Sequence, residues 1–415
     1  MSAAARPQKS DLVVVGGGMV GLAAACLLAR SGFSVALVEA APPEPVERDP
    51  QADYALRVSA LSPGSAAILD QCGAWADIEA GRSCPYQRMT VEDRDADAAV
   101  EFEAPAFGLE RLGTIVENDL VRDALWRSAM SEQRIQRFCP ARVEHVEQDR
   151  EAARVRLEDG RELQAELLLA CDGGRSPLRA AVGARSQTWE YNQCGLVCTV
   201  RKSLPNPGTA WQRFLPGGPL AFLPLEDGRS SIVWTLPTED AQRLLEVSDE
   251  TFTAALRDAS EGWLGAVEAV GPRAAFPLSM RISDRFRAGR TVLLGDAAHV
   301  VHPLAGQGVN LGFADVAALV EVLAAQRSRG RALADVRALQ RFERWRRSET
   351  GLMAAGIHVL QGLFRPDALA PLRRLGMRQV ADSWMLREAF LQRAAGTGPN
   401  APRLARGESL RALSG

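Results

Sequence analysis

Gly16, Gly18 and Gly21 stand at GxGxxG spacing, and Glu39 follows the first of them by 23 residues. Glycines so placed permit a tight turn, let a backbone approach a pyrophosphate and let a helix pack closely on a strand. A carboxylate at Glu39 can accept hydrogen bonds from both hydroxyls of a ribose and would repel a 2′-phosphate, which selects an unphosphorylated adenosine ribose, as in FAD or NAD. A second group, Cys171-Asp172-Gly173-Gly174-Arg175-Ser176-Pro177-Leu178-Arg179, puts an acid and two glycines where a polar ligand can be met. A third, Gly295-Asp296-Ala297-Ala298-His299, leads through His302, Pro303, Gly306 and Gln307 to Gly308, Val309 and Asn310. Asp296 can hold a hydroxyl of a ribityl chain, and a helix starting in this glycine-rich stretch can stabilise negative charge on the pyrimidine end of a reduced flavin.

Each group needs an element to aim it. Leu12 to Val15 is a β-branched run typical of a strand buried on both faces, Met19 to Arg30 is alanine- and leucine-rich as a helix should be, and Ser34 to Val38 reads as a second strand. This βαβ order around the glycines leads the helix N-terminus, with its free N–H groups, to phosphate. Val155 and Leu157 alternate with charges, Asp159-Gly160 supplies a hairpin turn, and Leu167 to Ala170 delivers the chain to Asp172. Thr291 to Leu294 does the same for Asp296, and a helix is expected from about Leu311.

With 415 residues, 47% hydrophobic and 24% charged, the chain has room for two or three packed domains and does not read as disordered, coiled-coil or disulfide-stapled. A net charge of −2 argues against a nucleic-acid binder. The seven cysteines form no CxxC pair, and no His pair has zinc-finger spacing. Reduced thiols and a cytoplasmic location are the expectation. Leu12 to Ala29 is free of charge, but Gly16 to Gly18 break it too early for a membrane span. From Glu321 onward 17 arginines face 8 acids, a basic end on an otherwise acidic chain that suggests peripheral contact with anionic lipid or a partner complex.

Several residues admit two readings. His299 and His302 lie three apart but lack the carboxylate of an HExxH arrangement, so no metal is expected. Cys194 and Cys198 read as buried small hydrophobes. Trp211, Phe214, Phe222 and Trp234 are either core or the walls of an aromatic substrate cavity. Leu352, Gly356, Val359, Leu360 and Leu363 repeat at helical spacing as a stripe that is core, oligomer contact or membrane surface. His302 and Tyr191 are polar candidates for a catalytic base, but nothing in the sequence singles either out.

GGGMVG (16–21), CDGGRSPLR (171–179) and GDAAHVVHPLAGQGVNLG (295–312), in this order, resemble the class A flavoprotein aromatic hydroxylases typified by para-hydroxybenzoate hydroxylase. RVSALSPGS (57–65), LGTIVEN (112–118), WQRFLPGGPLAFLPLEDGRSSIVW (211–234) and HPLAGQGVNLGFAD (302–315) are similar to the ubiquinone-biosynthesis hydroxylases within that class. The resemblance runs from Asp11 to about Gly396. It implies that Gly16, Gly18, Met19, Val20 and Gly21 face the FAD pyrophosphate and Glu39 the adenosine ribose. It further implies that Gly295 and Asp296 meet the ribityl chain, that Pro303, Gly306, Gly308, Val309 and Asn310 lie beside the isoalloxazine ring, and that Asp172 serves both FAD and NAD(P)H. Arg57 and Asn118 match positions near the flavin, although the wider class often has arginine where Asn118 stands.

The fold implied is α/β: a doubly wound, Rossmann-like FAD-binding domain (1–180 and 284–350) with an inserted β-rich substrate domain (181–283) and a C-terminal helical region (351–415). The activity implied is hydroxylation of the ring of a polyprenylated phenol, in which NAD(P)H reduces FAD, O2 forms a flavin hydroperoxide and its distal oxygen attacks an electron-rich carbon. The chain carries no second GxGxxG on a separate βαβ unit, so NAD(P)H is expected as a transient co-substrate. A hydroxylase or reductase of the same fold acting on another phenol or prenyl chain, and a flavin-stabilised non-catalytic subunit of a biosynthetic complex, share these motifs. A homo-oligomer is compatible with all three.

Overall fold

The opening strand, Gln8–Val15, buries its last four residues, as a strand covered on both faces must. In the computed structural model, which describes residues 7–46, 52–95, 99–263, 265–301, 308–364 and 367–413, this strand lies near the middle of an eight-stranded sheet. Val35–Val38 and Glu162–Ala170 flank it in parallel, Ile135–Phe138 and Thr291–Leu293 continue the parallel run on the two sides, and Arg287–Ala288 closes one edge. Ala153–Leu157 folds back antiparallel on Glu162–Ala170 through the Asp159-Gly160 turn, where Gly160 has φ +84°.

Helices Met19–Arg30, Asn118–Ser131 and Gly308–Ser328 pack side by side over this sheet. Met19–Arg30 carries Leu22, Leu27 and Leu28 into the core with no residual exposure, about 1.5–3 kcal/mol of burial for each. Gly308–Ser328 is long and apolar enough to cross a membrane, yet it is mostly buried here, because helix Met19–Arg30, helix Pro63–Gln71, the Gly295–Ala297 turn and later helices surround it. It begins three residues earlier than the composition indicated.

A nine-stranded sheet holds the segment expected to be inserted. Ser186–Lys202 pairs antiparallel with Ala274–Ser283 and Ser230–Pro237, followed by Gly218–Pro224 and Thr209–Leu215. Two pieces from outside residues 181–283 join it. The hairpin of Arg88–Asp93 and Val100–Glu103, which the sequence reading placed with the first FAD-binding part, pairs in parallel with Thr209–Leu215. Alternation within a hairpin fixes its two strands but not the distant sheet edge it joins. His299–Val300 pairs with Arg281 and Ile282. The eight residues from Thr291 to Ala298 therefore leave one sheet and enter the other, and the Gly295-Asp296 turn lies where the two meet.

Helix Val336–Phe364 runs on from the core into a C-terminal helical layer, Ala370–Asp382 and Trp384–Ala395. One buried cation ties this layer to the nine-stranded sheet: Arg373 donates to Asp93 at 3.0 Å and to Asp95 at 2.6 Å, and its guanidinium lies over the Phe364 ring, which stacks on Phe214. The stripe along Val336–Phe364 does not face the core. Leu352, Val359 and Leu360 are exposed, as are Leu372, Leu375, Trp384, Met385 and Phe390 of the two later helices.

Candidate active site

The chain turns at the end of Gln8–Val15 because Gly16 adopts φ +109°, and a Cβ there would run into the carbonyl of Cys171. Gly21 is equally confined, since its Cβ would overlap the carbonyl of Gly16. Gly18 differs. It caps helix Met19–Arg30 with no side-chain partner for the first-turn N–H groups, and a Cβ on it would meet nothing within 4 Å. Two of the three glycines thus serve helix–strand packing, and the third leaves open space in front of free N–H donors, where an anion fits. Met19 and Val20 are partly buried against the main core.

Glu39 ends Val35–Val38 as expected, and its carboxylate is already oriented. It accepts from the Gly17 and Ala41 N–H groups and lies 3.6 Å from Arg122, which also donates to the Gly17 carbonyl at 3.0 Å. Arg122 was not singled out in the sequence. Its one signal is a place one turn after Asn118 on helix Asn118–Ser131. Asn118 accepts from the Ser59 hydroxyl at 2.6 Å, and its N–H donates to the Arg57 carbonyl at 3.0 Å, so it fixes the strand that carries Arg57. Buried Glu117 holds the preceding segment, accepting from Ala55 N–H and from Arg82. The exposed Arg57 guanidinium lies over the Phe276 ring.

Asp172 stands at the end of Glu162–Ala170. Its Oδ2 accepts from Leu178 N–H at 3.0 Å, whereas its Oδ1 is buried with no protein partner. A buried carboxylate oxygen left bare costs free energy until a donor reaches it. Nearby Arg179 donates to the carbonyls of Ala297 and Gly174, both at 2.9 Å, which ties this loop to the Asp296 turn. Arg281 also donates to Gly174. Burial, with Arg281 close by, lowers the Arg179 pKa from its usual value.

The third group gathers on Asp315, which is fully buried. Its Oδ2 takes the Gly295 N–H at 3.1 Å and the His299 ring at 2.5 Å, and its Oδ1 takes Arg346 at 2.7 Å. Burial opposes its ionisation, but the charges and hydrogen bonds of His299 and Arg346 outweigh that and hold its carboxyl below the ordinary range. His299 is thereby a structural partner. Among the described residues no cluster of His, Cys, Asp and Glu could hold a metal. Asp296, next to this clamp, is exposed to solvent. The surrounding protein raises its pKa by desolvation, against the opposing charges of His299 and Arg57.

Gly308 opens helix Gly308–Ser328 with nothing within 4 Å of a would-be Cβ. Val309 packs partly buried on the core. The Asn310 amide accepts from Ser62 N–H at 3.0 Å and donates to the Ala60 carbonyl at 2.9 Å, tying the helix start to the strand after Arg57. Pro303, Gly306 and His302 lie outside the described residues. Tyr191 meets Met280 through its hydroxyl, which marks no base. Trp211, Phe222 and Trp234 are core of the nine-stranded sheet, and only Phe214 packs toward the site, with Val301, Leu311 and Ile357.

This arrangement fits an FAD. It offers free helix N–H groups with space before them for a diphosphate, an oriented carboxylate for ribose hydroxyls, and a bare buried oxygen and a desolvated carboxylate for a polyol. Residues 9–349 match the family described as FAD binding domain. The chain is 36% identical over 407 residues to ubiquinone hydroxylase UbiL of Rhodospirillum rubrum, a match covering 97% of this chain and 94% of that one. It is 33% identical over 392 residues to 3-demethoxyubiquinol 3-hydroxylase of Escherichia coli, covering 94% and 99%. Its fold is similar to that of PqsL of Pseudomonas aeruginosa solved with 2-aminobenzoylacetate, with a TM-score of 0.75 at 24% identity over 90% of this chain and all of that one.

The two kinds of glycine separate experimentally. Gly18→Ala leaves the melting temperature of the flavin-free protein unchanged and weakens FAD binding, whereas Gly21→Ala destabilises the flavin-free fold by about 1–3 kcal/mol through overpacking. For Asp296 the sign is reversed relative to a salt-bridged acid. Folding raises its pKa, so the flavin-free protein loses stability as pH rises from the ordinary carboxylate value through the raised one. Asp296→Asn is expected to melt no lower than wild type at neutral pH while Asp296→Ala and Asp296→Asn both lose FAD affinity, by roughly tenfold or more. Purification of either Asp296 variant fully loaded with flavin overturns that assignment.

Proposed function

This chain belongs to the FAD-dependent hydroxylase family of ubiquinone biosynthesis, and on that premise we propose that it inserts one oxygen atom of O2 into the phenolic ring of a polyprenylated ubiquinone precursor. The observation that carries the reading is the convergence, at the meeting of the two sheets, of the bare Asp172 oxygen, the desolvated Asp296 carboxylate and the open helix start at Gly308, in a chain aligned over nearly its whole length with two ubiquinone-pathway hydroxylases.

FAD, when bound, supplies the redox chemistry that carries electrons from NAD(P)H to O2. The protein's own contribution is placement and exclusion of water. The N–H groups at Gly18 and the first turn behind it hold the diphosphate, Glu39 braced by Arg122 accepts from the ribose, and Asp172 Oδ1 and Asp296 take polyol hydroxyls. The positive end of helix Gly308–Ser328 favours negative charge on the pyrimidine side. Phe214, Val301, Leu311 and Ile357 form an apolar wall between the nine-stranded sheet and helix Val336–Phe364, which keeps water from a ring held beside them. NAD(P)H visits transiently, consistent with a single dinucleotide fingerprint. The residues 1–180 and 284–350 hold the flavin in this reading, and the nine-stranded sheet covers the substrate.

A prenylated phenol dissolves in lipid, and the exposed apolar side chains of the C-terminal helices, with exposed Arg374 and Arg378 on the same helix as Leu372 and Leu375, suit the surface of an anionic membrane. Co-sedimentation with vesicles containing an anionic phospholipid, lost at high salt, is the expected behaviour, and absence of binding at low salt contradicts it. The function itself is tested by deleting the gene in its host and analysing the quinone lipids by mass spectrometry, with a wild-type copy returned as control. Accumulation of a prenylated phenol lacking one oxygen is expected. Unchanged ubiquinone without any precursor contradicts the proposal.

A further inference from the structure

Between helix Pro63–Gln71, the first turns of Gly308–Ser328, helix Val336–Phe364 and helix Trp384–Ala395 lies a groove of about 500 Å³. Its apolar wall is made by Ile68, Leu311, Ala314, Met353, Ala389 and Phe390. Its charged lining groups and most of its polar ones are already engaged with the protein. Asn310 is held by Ser62 and Ala60, Arg346 by Asp315, Arg393 lies 3.5 Å from Glu349, and Gln392 donates to Glu388 at 3.2 Å. The charges in the wall are paired, so a charged or strongly polar occupant would lose its hydration for nothing in return. An uncharged hydrocarbon suits it.

The two ends of the groove say which hydrocarbon. The inner end lies at Asn310 and Leu311, in the first turn of the helix that follows the Asp296 turn, and Leu311 and Met353 also pack with Phe214 and Val301 in the wall beneath the nine-stranded sheet. The outer end lies at Leu386 and Phe390, which are 41% and 54% exposed, beside Met385 at 78%. A groove that starts next to the ring site and opens on an apolar surface matches a ligand with a reactive ring at one end and a long apolar chain at the other. We propose that this groove holds the isoprenoid tail of the substrate, which enters at Leu386 and Phe390 and runs inward past Met353 to Leu311. The proposal rests on the function given above, because it takes the tail to belong to the hydroxylated phenol.

Geranylgeraniol, a polyprenol with no ring to hydroxylate, probes the groove independently of activity. Its binding to the FAD-loaded full-length protein is measured by equilibrium dialysis. Ala389→Trp narrows the groove and Phe390→Glu puts a charge in its mouth, and both positions are exposed enough for the fold to accept the change. Wild type is expected to bind saturably, and both variants to bind at least tenfold more weakly with unchanged FAD content and melting temperature. Leu375→Ser, exposed but outside the groove lining, is expected to bind as wild type. Absence of saturable binding to wild type, undiminished affinity in both groove variants, or an equal loss in Leu375→Ser overturns the assignment. So does a concentration-dependent dimer that the groove variants abolish while polyprenol binding persists, since a second copy then fills the groove. Saturable binding sensitive to the groove variants, in a protein that hydroxylates no prenylated phenol, keeps a prenyl-binding groove and refutes the function.

Discussion

Asp315 holds the molecule's working parts together. A carboxylate with no exposure is unfavourable unless its charge is matched and its oxygens are hydrogen-bonded, and breaking such a buried arrangement by removing one partner is strongly destabilising. Here the partners come from three places: the Gly295 N–H at the end of the eight-stranded sheet, the His299 ring where the chain enters the nine-stranded sheet, and Arg346 on the long C-terminal helix. Because one side chain must satisfy all three, the Asp296 turn, the helix start at Gly308 and the helix behind the apolar wall have fixed relative positions. Gly295 sits at φ +55° with Val20 against it, so the turn is held from the side of the dinucleotide fingerprint as well.

The remaining ties work in the same manner at lower stakes. Arg179 joins the Asp172 loop to the Asp296 turn through two backbone carbonyls, and Asn310 joins the Gly308 helix to the strand after Arg57. Arg122 braces Glu39 against the glycine turn. The result is a set of acceptors and donors that are rigid before any ligand arrives, a condition under which binding free energy goes into orientation and not into ordering loops. The buried Asp172 oxygen that has no protein partner points to where a ligand would complete the network.

What was legible in the sequence is what local backbone chemistry dictates. The turn at Gly16, the approach of helix to strand at Gly21, the acid ending the second strand and the acids ending two later strands all follow from short spacings. What was not legible depends on contacts distant along the chain. Arg122, Arg281 and Arg346 each hold a site segment from far away, and in a chain with 47 arginines and two lysines the residue type marks none of them. Asp315 lies within a quoted motif, but its role appears only when His299 and Arg346 are seen to converge on it. The strands Arg88–Asp93 and Val100–Glu103 lie within the part expected to hold the flavin, and their sheet is decided by pairing with Thr209–Leu215, more than a hundred residues on. Likewise the spacing of Leu352, Val359 and Leu360 gives a stripe on a helix, while its outward facing is set by how Val336–Phe364 continues past the core.

In the proposed function a flavin held at the meeting of the two sheets activates O2 for insertion into a phenolic ring carrying a prenyl chain. The most direct measurement supplies the purified FAD-loaded protein with NAD(P)H, a prenylated phenol and isotopically heavy O2, and follows the label by mass spectrometry. The expected product carries one heavy oxygen atom on its ring and forms only with the reductant present. A product without the label, or oxidation of NAD(P)H that never delivers oxygen to any prenylated phenol, contradicts that function.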